Sequence, residues 1–516
     1  MADGLLNKAS IILTPTGYKA GTLYNVAPVV EPYEDFDFVR ASVASRVNSS
    51  GLVEMVGRSL GSELVTNGDF ATDSDWTLGT GWSIEDGLVK GDGASFDYVA
   101  QSISGISGKT IKVTFEIKDW VSGTFRVLPA DRADGLDERY SGNGTYQVIY
   151  TSNLDLFRFQ QQAFDGSIDN ISVKEIIDTN NIPRISYDSN GDNGHILLEP
   201  TSTNLVPYSE DFEQWALVNG TILPNATASP SGEINADKFT FISGYAQLRY
   251  TLTVASSTQY SASFYVKNLD ATNVEYRVYD VTNGTDILSS SYYSQISNTE
   301  WTRVSFEFNT SATTSSIYFY PIAGSYSGSL YIWGVQLEAL SYATSYIPTL
   351  TGSQEERATE TATGAGSADL INSTEGVLYA EIADITNDNL SDNNIISISK
   401  STDEDFRVHI ALKTNGTIQG FIREGAGNTK LDVSSTTVLP STSFFKVAVL
   451  FESGNNKLYV NGLQIGSTNT STFSNLQLNS LQFNRGDDDK IFYGKCKALA
   501  VFNEALSDSE LTQLTS

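Results

Sequence analysis

Phe444–Ser453 reads FFKVAVLFES, and Lys457–Gly466 reads KLYVNGLQIG. In the second stretch, Asn461-Gly462 stands between Leu458 and Val460 on one side and Leu463 and Ile465 on the other. Asn and Gly tolerate the positive φ angles of a tight turn whose twist matches paired strands. The stretch therefore reads as a two-residue β-hairpin, with FFKVAVLFES as the strand before it. The same grammar recurs upstream. In TIKVTFEIKDW (Thr110–Trp120), Ile111, Val113, Phe115 and Ile117 alternate with Lys112, Glu116 and Lys118. In TRVSFEFN (Thr302–Asn309), Val304, Phe306 and Phe308 alternate with Arg303, Ser305 and Glu307. A period of two with one apolar face is the mark of a strand that is wet on one side.

Composition agrees. Aromatic residues make up 11% of the 516, with 26 Tyr and 25 Phe, while charged residues are only 18%. Ring-bearing and β-branched side chains suit half-buried pleated surfaces. The 12 Pro and 41 Gly are too few for a collagen-like or low-complexity fibre. One helix is expected, at EALSDSELTQL near the C-terminus. There Ser507 and Glu510 form a capping box, and Leu506 with Leu511 forms a hydrophobic staple. The fold class that follows is all-β: tandem antiparallel β-sandwiches of the jelly-roll type behind a short N-terminal extended segment.

The length allows about three domains. Residues 1–62 lack Trp and read as short extended pieces, expected to be an arm that orders on partners. A first sandwich is expected over 63–177, closing with IDNISVKEI (Ile168–Ile176). A turn-rich connector covers 178–202. A second sandwich covers 203–349, with SASFYVKN (Ser261–Asn268) and SLYIWGVQLE (Ser329–Glu338) among its strands. A polar linker follows over 350–366, and a third sandwich over 367–516. The first two open alike, with NGDF…W at Asn67–Trp76 and NLVPYSEDFEQW at Asn204–Trp215, as an old duplication would.

A formal net charge of −29 repels phosphate, so nucleic acid and anionic lipid are poor partners. No run of about 20 apolar residues is present to insert into a membrane. The single cysteine, Cys496, excludes an intrachain disulfide and reads as a small buried hydrophobe. The N-terminus shows no secretory leader pattern. A particle protein that folds in a host cytoplasm and leaves by lysis accommodates these traits together.

Several segments resemble bacteriophage structural proteins. NIPRISYDSNGDNGHILLEPTSTNLVPYSEDFEQW (Asn181–Trp215), YIWGVQLEALSYATSYIPT (Tyr331–Thr349) and FDFVRASVASRVNSSGLVE (Phe36–Glu54) are similar to modules of phage tail and head fibres. The first two sandwiches resemble carbohydrate-binding-module jelly rolls, on NGDF…W and IDNISV. The third resembles the laminin-G/concanavalin A-like family, on EGVLYAEI (Glu375–Ile382), KLYVNGLQIG and YGKCKALAVFNEALSDSEL (Tyr493–Leu511). The resemblance implies a virion protein, with a tail fibre or receptor-binding component as the first expectation. Residues 1–62 would attach to other virion proteins, and the sandwiches would meet host cell-surface glycans. A capsid-decorating or head-fibre protein is the alternative, and a secreted glycan-binding or glycan-degrading protein the second. A homo-oligomer is expected, as fibres commonly are.

Catalysis is not expected. Glycoside hydrolysis needs two carboxylates across a sugar. The Glu-x-Asp-x-x-Glu strand of the glucanase branch is missing from 367–516, where Glu381-Ile-Ala-Asp384 has the wrong spacing. His195 and His409 lie far apart and read as structural. No cofactor is demanded. The resemblance leaves room for a structural calcium ion at Asp69 and Asp169, which match the acidic positions of such jelly rolls. Asp487-Asp488-Asp489 reads as a solvated charge run. Sugar binding would use an exposed aromatic platform. Trp82, Trp120, Tyr292 and Tyr293 are the candidates, because they lie near turns or in polar runs.

Overall fold

The computed structural model describes residues 5–26, 35–350, 352–385, 394–401, 403–436 and 442–516. Among them the regular structure is almost entirely antiparallel sheet, with one α-helix, Asp508–Thr515, and four short 3-10 turns. The helix carries the expected capping box: Ser507 accepts from the Glu510 backbone and Glu510 reaches back to the Ser507 N–H. The hairpin also forms as read. Asn461 and Gly462 have φ of 46° and 82°, and Val460 pairs with Leu463.

The first sandwich is one eight-stranded sheet folded over on itself. Thr110–Val127 and Leu156–Asp178 run through both layers and pair along most of their length. Their register slips near Lys118–Thr124, where β-bulges bend the pair. Gly123 lies in this bend at φ +73°, and a Cβ there would stand 1.8 Å from the Ala163 carbonyl oxygen. Only glycine fits so close an approach. The alternation of Thr110–Trp120 holds, with Ile111, Val113, Phe115 and Ile117 all buried.

The second sandwich consists of two five-stranded sheets. One contains Ser261–Asn268 territory, Thr302–Asn309 and Ser329–Glu338; the other is built around Ser316–Gly324. The duplicated openings match in geometry. Phe70 meets Trp76 at a ring distance of 5.3 Å, and Phe212 meets Trp215 at 5.4 Å. In each, the indole N–H donates to a backbone carbonyl of the opening loop, Asn67 or Tyr208.

The third sandwich recruits segments from outside 367–516. Ala9–Leu13 and His195–Leu198 both pair with Gly494–Phe502, in an eight-stranded sheet that also holds Glu375–Ala383 and the hairpin. Phe36–Val39 pairs with Thr361–Thr363. Ile11, Leu13, Leu23, Phe36, Phe38, Ile196 and Leu198 all enter its core. The described part of 1–62 therefore differs from the free arm expected of it. Its residues at 11, 13, 23, 36 and 38 are packed into the third sandwich, because these apolar side chains find a sheet to cover, while Val39, Leu52 and Leu60 stay exposed.

The connector and the linker differ likewise. Ser202–Asn204 pairs with Glu355–Arg357. Around that pairing lies a buried ionic cluster. Glu360 takes Arg40 at 2.5 Å and also Arg184, while Glu199 takes Arg184 at 2.9 Å and Arg357 at 3.0 Å. All five side chains are at most 2% exposed. Arg184 also donates to the Ser45 carbonyl and Ser345 Oγ. Burial opposes ionisation of Glu199, yet Arg357 and Arg184 hold its carboxyl down at about 2. Three regions that read as a tail, a connector and a linker are thus locked together by charge.

Candidate functional site

A cavity of about 640 Å³ opens beside this cluster, where the N-terminal hairpin, the connector and the second and third sandwiches meet. Ligand sites commonly measure about 300–1,000 Å³. Each wall follows from local structure. In Gly494–Phe502, Cys496 turns into the core, so Lys495 and Lys497 lie on the opposite face and line the cavity. The register then slips beside Lys497, opposite Glu381–Ile382, which resets the alternation and returns Leu499 and Val501 to the core. In Thr302–Asn309, Val304 and Phe308 are buried in the sandwich core, which leaves Arg303 on the cavity side.

Four cations line the cavity: Arg46, Arg303, Lys495 and Lys497. Arg46 is paired with Glu54. Lys497 lies 4.1 Å over the Phe444 ring and donates to Asn193 Oδ1 at 2.9 Å. Arg303 rests over Tyr265 and donates to Ser263 Oγ and the Thr344 carbonyl, while its buried Nε has no partner among the described residues. Lys495 is half-buried; burial lowers its ammonium pKa, against the opposing pull of Glu199 and Asp384.

The two carboxylates in the wall are engaged. Asp188 accepts from the Asn190 and Asp192 backbones and from the Asn193 amide, and Glu199 belongs to the ionic cluster. His195 is pushed down to about 4 by burial and is neutral at pH 7. Tyr187, Tyr265 and Phe444 add ring surface. The arrangement can hold a polar, ring-shaped ligand by stacking and by charge-assisted hydrogen bonds.

The residues expected from sequence lie elsewhere. Trp82 is a core residue: it packs edge-on to Phe159 and donates to the Asp97 carbonyl at 3.0 Å. Tyr292 is fully buried and donates to the Pro321 carbonyl. Neither is a platform, because each ring is enclosed by its own sandwich. Trp120 and Tyr293 are 37% and 38% exposed, but they lie on different sandwiches, and neither lines the junction cavity. Trp120 stands at the bend of the first sandwich, with its indole N–H tied to the Gly123 carbonyl.

Asp169 is bound to Lys118 at 2.8 Å, and Asp69 is exposed. The other oxygen of Asp169 accepts from the Asn170 N–H. Among the described residues no cluster of three or more metal-ligating side chains forms. Asp487 and Asp489 flank Arg485 as ion-pair partners. His409 is enclosed against Phe421 with its ring held at about 3 by burial and by Arg407. The cavity residues Lys495 and Lys497 had one visible sign in the sequence: two lysines flanking a cysteine in an otherwise apolar strand.

Residues 384–512 match the model of the concanavalin A-like lectin/glucanases superfamily. No curated protein matches the sequence. Among solved structures, the CBM40 of Ruminococcus gnavus IT-sialidase bound to α2,3-sialyllactose aligns at 18% identity, over 30% of this chain and 94% of that one, with a TM-score of 0.25. Domain 4 of AbnA, a GH43 extracellular arabinanase from Geobacillus stearothermophilus in complex with arabinotriose, aligns at 17% identity over 31% and 73%, also at 0.25. A SAP-like pentraxin from Limulus polyphemus aligns at 15% over 28% and 70%, at 0.24. Scores this low assign no ligand. The chain is an all-β protein of tandem sandwiches, and its C-terminal part is similar to the concanavalin A-like lectins and glucanases.

Proposed function

We propose that this chain is a non-catalytic saccharide-binding protein whose ligand enters the junction cavity, and that it serves on the exterior of a bacteriophage particle as a tail fibre or receptor-binding component. The observation that carries the binding half is the cavity itself: ring faces, cations and amides converge beside a domain of lectin-like fold. A fold alone does not choose a function, so the weight rests on the site. The particle half is supported by the fibre-like segments around Arg40, Arg184 and Glu199. Bond cleavage is not part of the reading, since both carboxylates of the cavity wall are already hydrogen-bonded within the protein.

The test is a glycan array of bacterial surface polysaccharides probed with the purified full chain, alongside immunogold electron microscopy of particles. Retention of a saccharide set that is lost on filling the cavity from its exposed rim with Ser443→Trp is the expected result. An empty array removes the binding half. Gold on heads instead of tails selects the capsid-decorating alternative, and shortening of a retained polysaccharide overturns the non-catalytic reading.

A further inference from the structure

We infer that the junction cavity selects saccharides bearing a carboxylate, and that Lys495 is the residue that receives it. The inference rests on the saccharide reading above and adds the ligand's charge.

Consider the charges that face the cavity. Arg46 is neutralised by Glu54 at 2.6 Å. Glu199 is neutralised by Arg184 and Arg357. Asp188 accepts from two backbone N–H groups and an amide, which keep it ionised, so it offsets one of the cations. Asp384, buried nearby, acts on Lys495 only through space. What is left over is positive. Arg303 makes hydrogen bonds only to a hydroxyl and a carbonyl, and its Nε is buried without a partner. Lys497 bonds a neutral amide. Lys495 has no hydrogen-bond or ion-pair partner among the described residues.

This occurs in a chain of net charge −29, where carboxylates to pair with cations are plentiful. A half-buried lysine without a direct partner loses hydration that Glu199 and Asp384 repay only through space, and an anion from outside would complete it. Arg303 and Lys495 belong to the lining of the same cavity, where charge-assisted hydrogen bonds to an anion are the strong ones. Tyr187 adds ring surface to the same cavity, beside Tyr265 and Phe444, whose rings already carry Arg303 and Lys497. A uronate unit fits that combination, with a ring for the aromatics and a carboxylate for the lysine. A neutral hexose would satisfy the rings and leave the cations bare.

The experiment titrates the full chain by calorimetry with a galacturonate trisaccharide and with the matching galactose trisaccharide, which replaces each carboxylate by a hydroxymethyl group. The acidic sugar is expected to bind at least tenfold more tightly, with affinity falling as salt rises. Lys495→Gln is expected to remove that preference while changing affinity for the neutral sugar less than threefold. Arg303→Gln serves as a second variant should Lys495→Gln unfold, with folding followed by circular dichroism. Equal affinity for the two sugars, or an acidic preference that survives in both folded variants, overturns the inference while leaving saccharide binding intact. Binding of neither sugar overturns the inference for this carboxylate class and leaves the broader reading to the array.

Discussion

Glu360 accepts from Arg40 and Arg184 and also from the backbone N–H of Glu199, all out of contact with water. Removing its charge strands the buried Arg40 guanidinium and leaves Arg184 with Glu199 alone. Glu360→Gln is expected to destabilise the protein by about 3–5 kcal/mol, as breaking a buried ion pair does. A urea titration followed by circular dichroism measures it, and a loss below 1 kcal/mol would show that water reaches the cluster. Arg40, Arg184 and Glu199 were legible as members of fibre-like segments. Their physical role was not, because Glu360, which joins Arg40 and Arg184, lies 320 and 176 positions away from them, and such a separation leaves no local pattern. Tyr292 and Tyr293 show the same limit at shorter range. They are neighbours in sequence at a 3-10 turn, yet one is fully buried and the other 38% exposed. Proximity to a turn says nothing about which way a ring faces.

Among elements, those specified locally were readable. The Asn461-Gly462 hairpin and the capped helix depend on residues at most a few positions apart. The strand Ala9–Leu13 was not readable as part of the C-terminal sandwich. Five residues can announce a strand but not its partner. Ile11 and Leu13 are both fully buried against the third sandwich. Ile11→Asp places a charge there and removes apolar contact, at an expected cost of about 3 kcal/mol or more. All six tryptophans lie in the other two sandwiches. On heating, the variant is therefore expected to lose far-ultraviolet dichroism early while tryptophan emission stays native. Simultaneous loss of both signals would mean that the sandwiches unfold as one unit.

At the scale of the molecule, the first two sandwiches meet across an acidic joint. Lys112 reaches Glu233 at 2.8 Å, and beside it Glu210, Asp211 and Asp237 share a cleft with Glu138 and Arg132. Burial raises Glu210 to about 7 and Asp211 to about 8, with neighbouring carboxylates adding to the rise. Ordinary carboxyl groups titrate near about 4. Between those values the folded protein holds protons that the unfolded chain has released, so stability falls as pH rises through roughly 5 to 8. Melting curves at half-unit pH intervals should show that decline, and Glu210→Gln should flatten part of it. A midpoint that climbs over the same range would contradict the assignment. The pairing of Ala9–Leu13 with Gly494–Phe502 has a consequence in time. A ribosome adding roughly 5–20 residues per second makes the first strand on the order of half a minute to a minute and a half before its partner. The two inner sandwiches can finish folding in that interval. The apolar strand Ser-Ile-Ile-Leu meanwhile has nothing of its own to pair with, which makes newborn chains open to cross-pairing with one another and makes closure of the third sandwich wait for Gly494–Phe502.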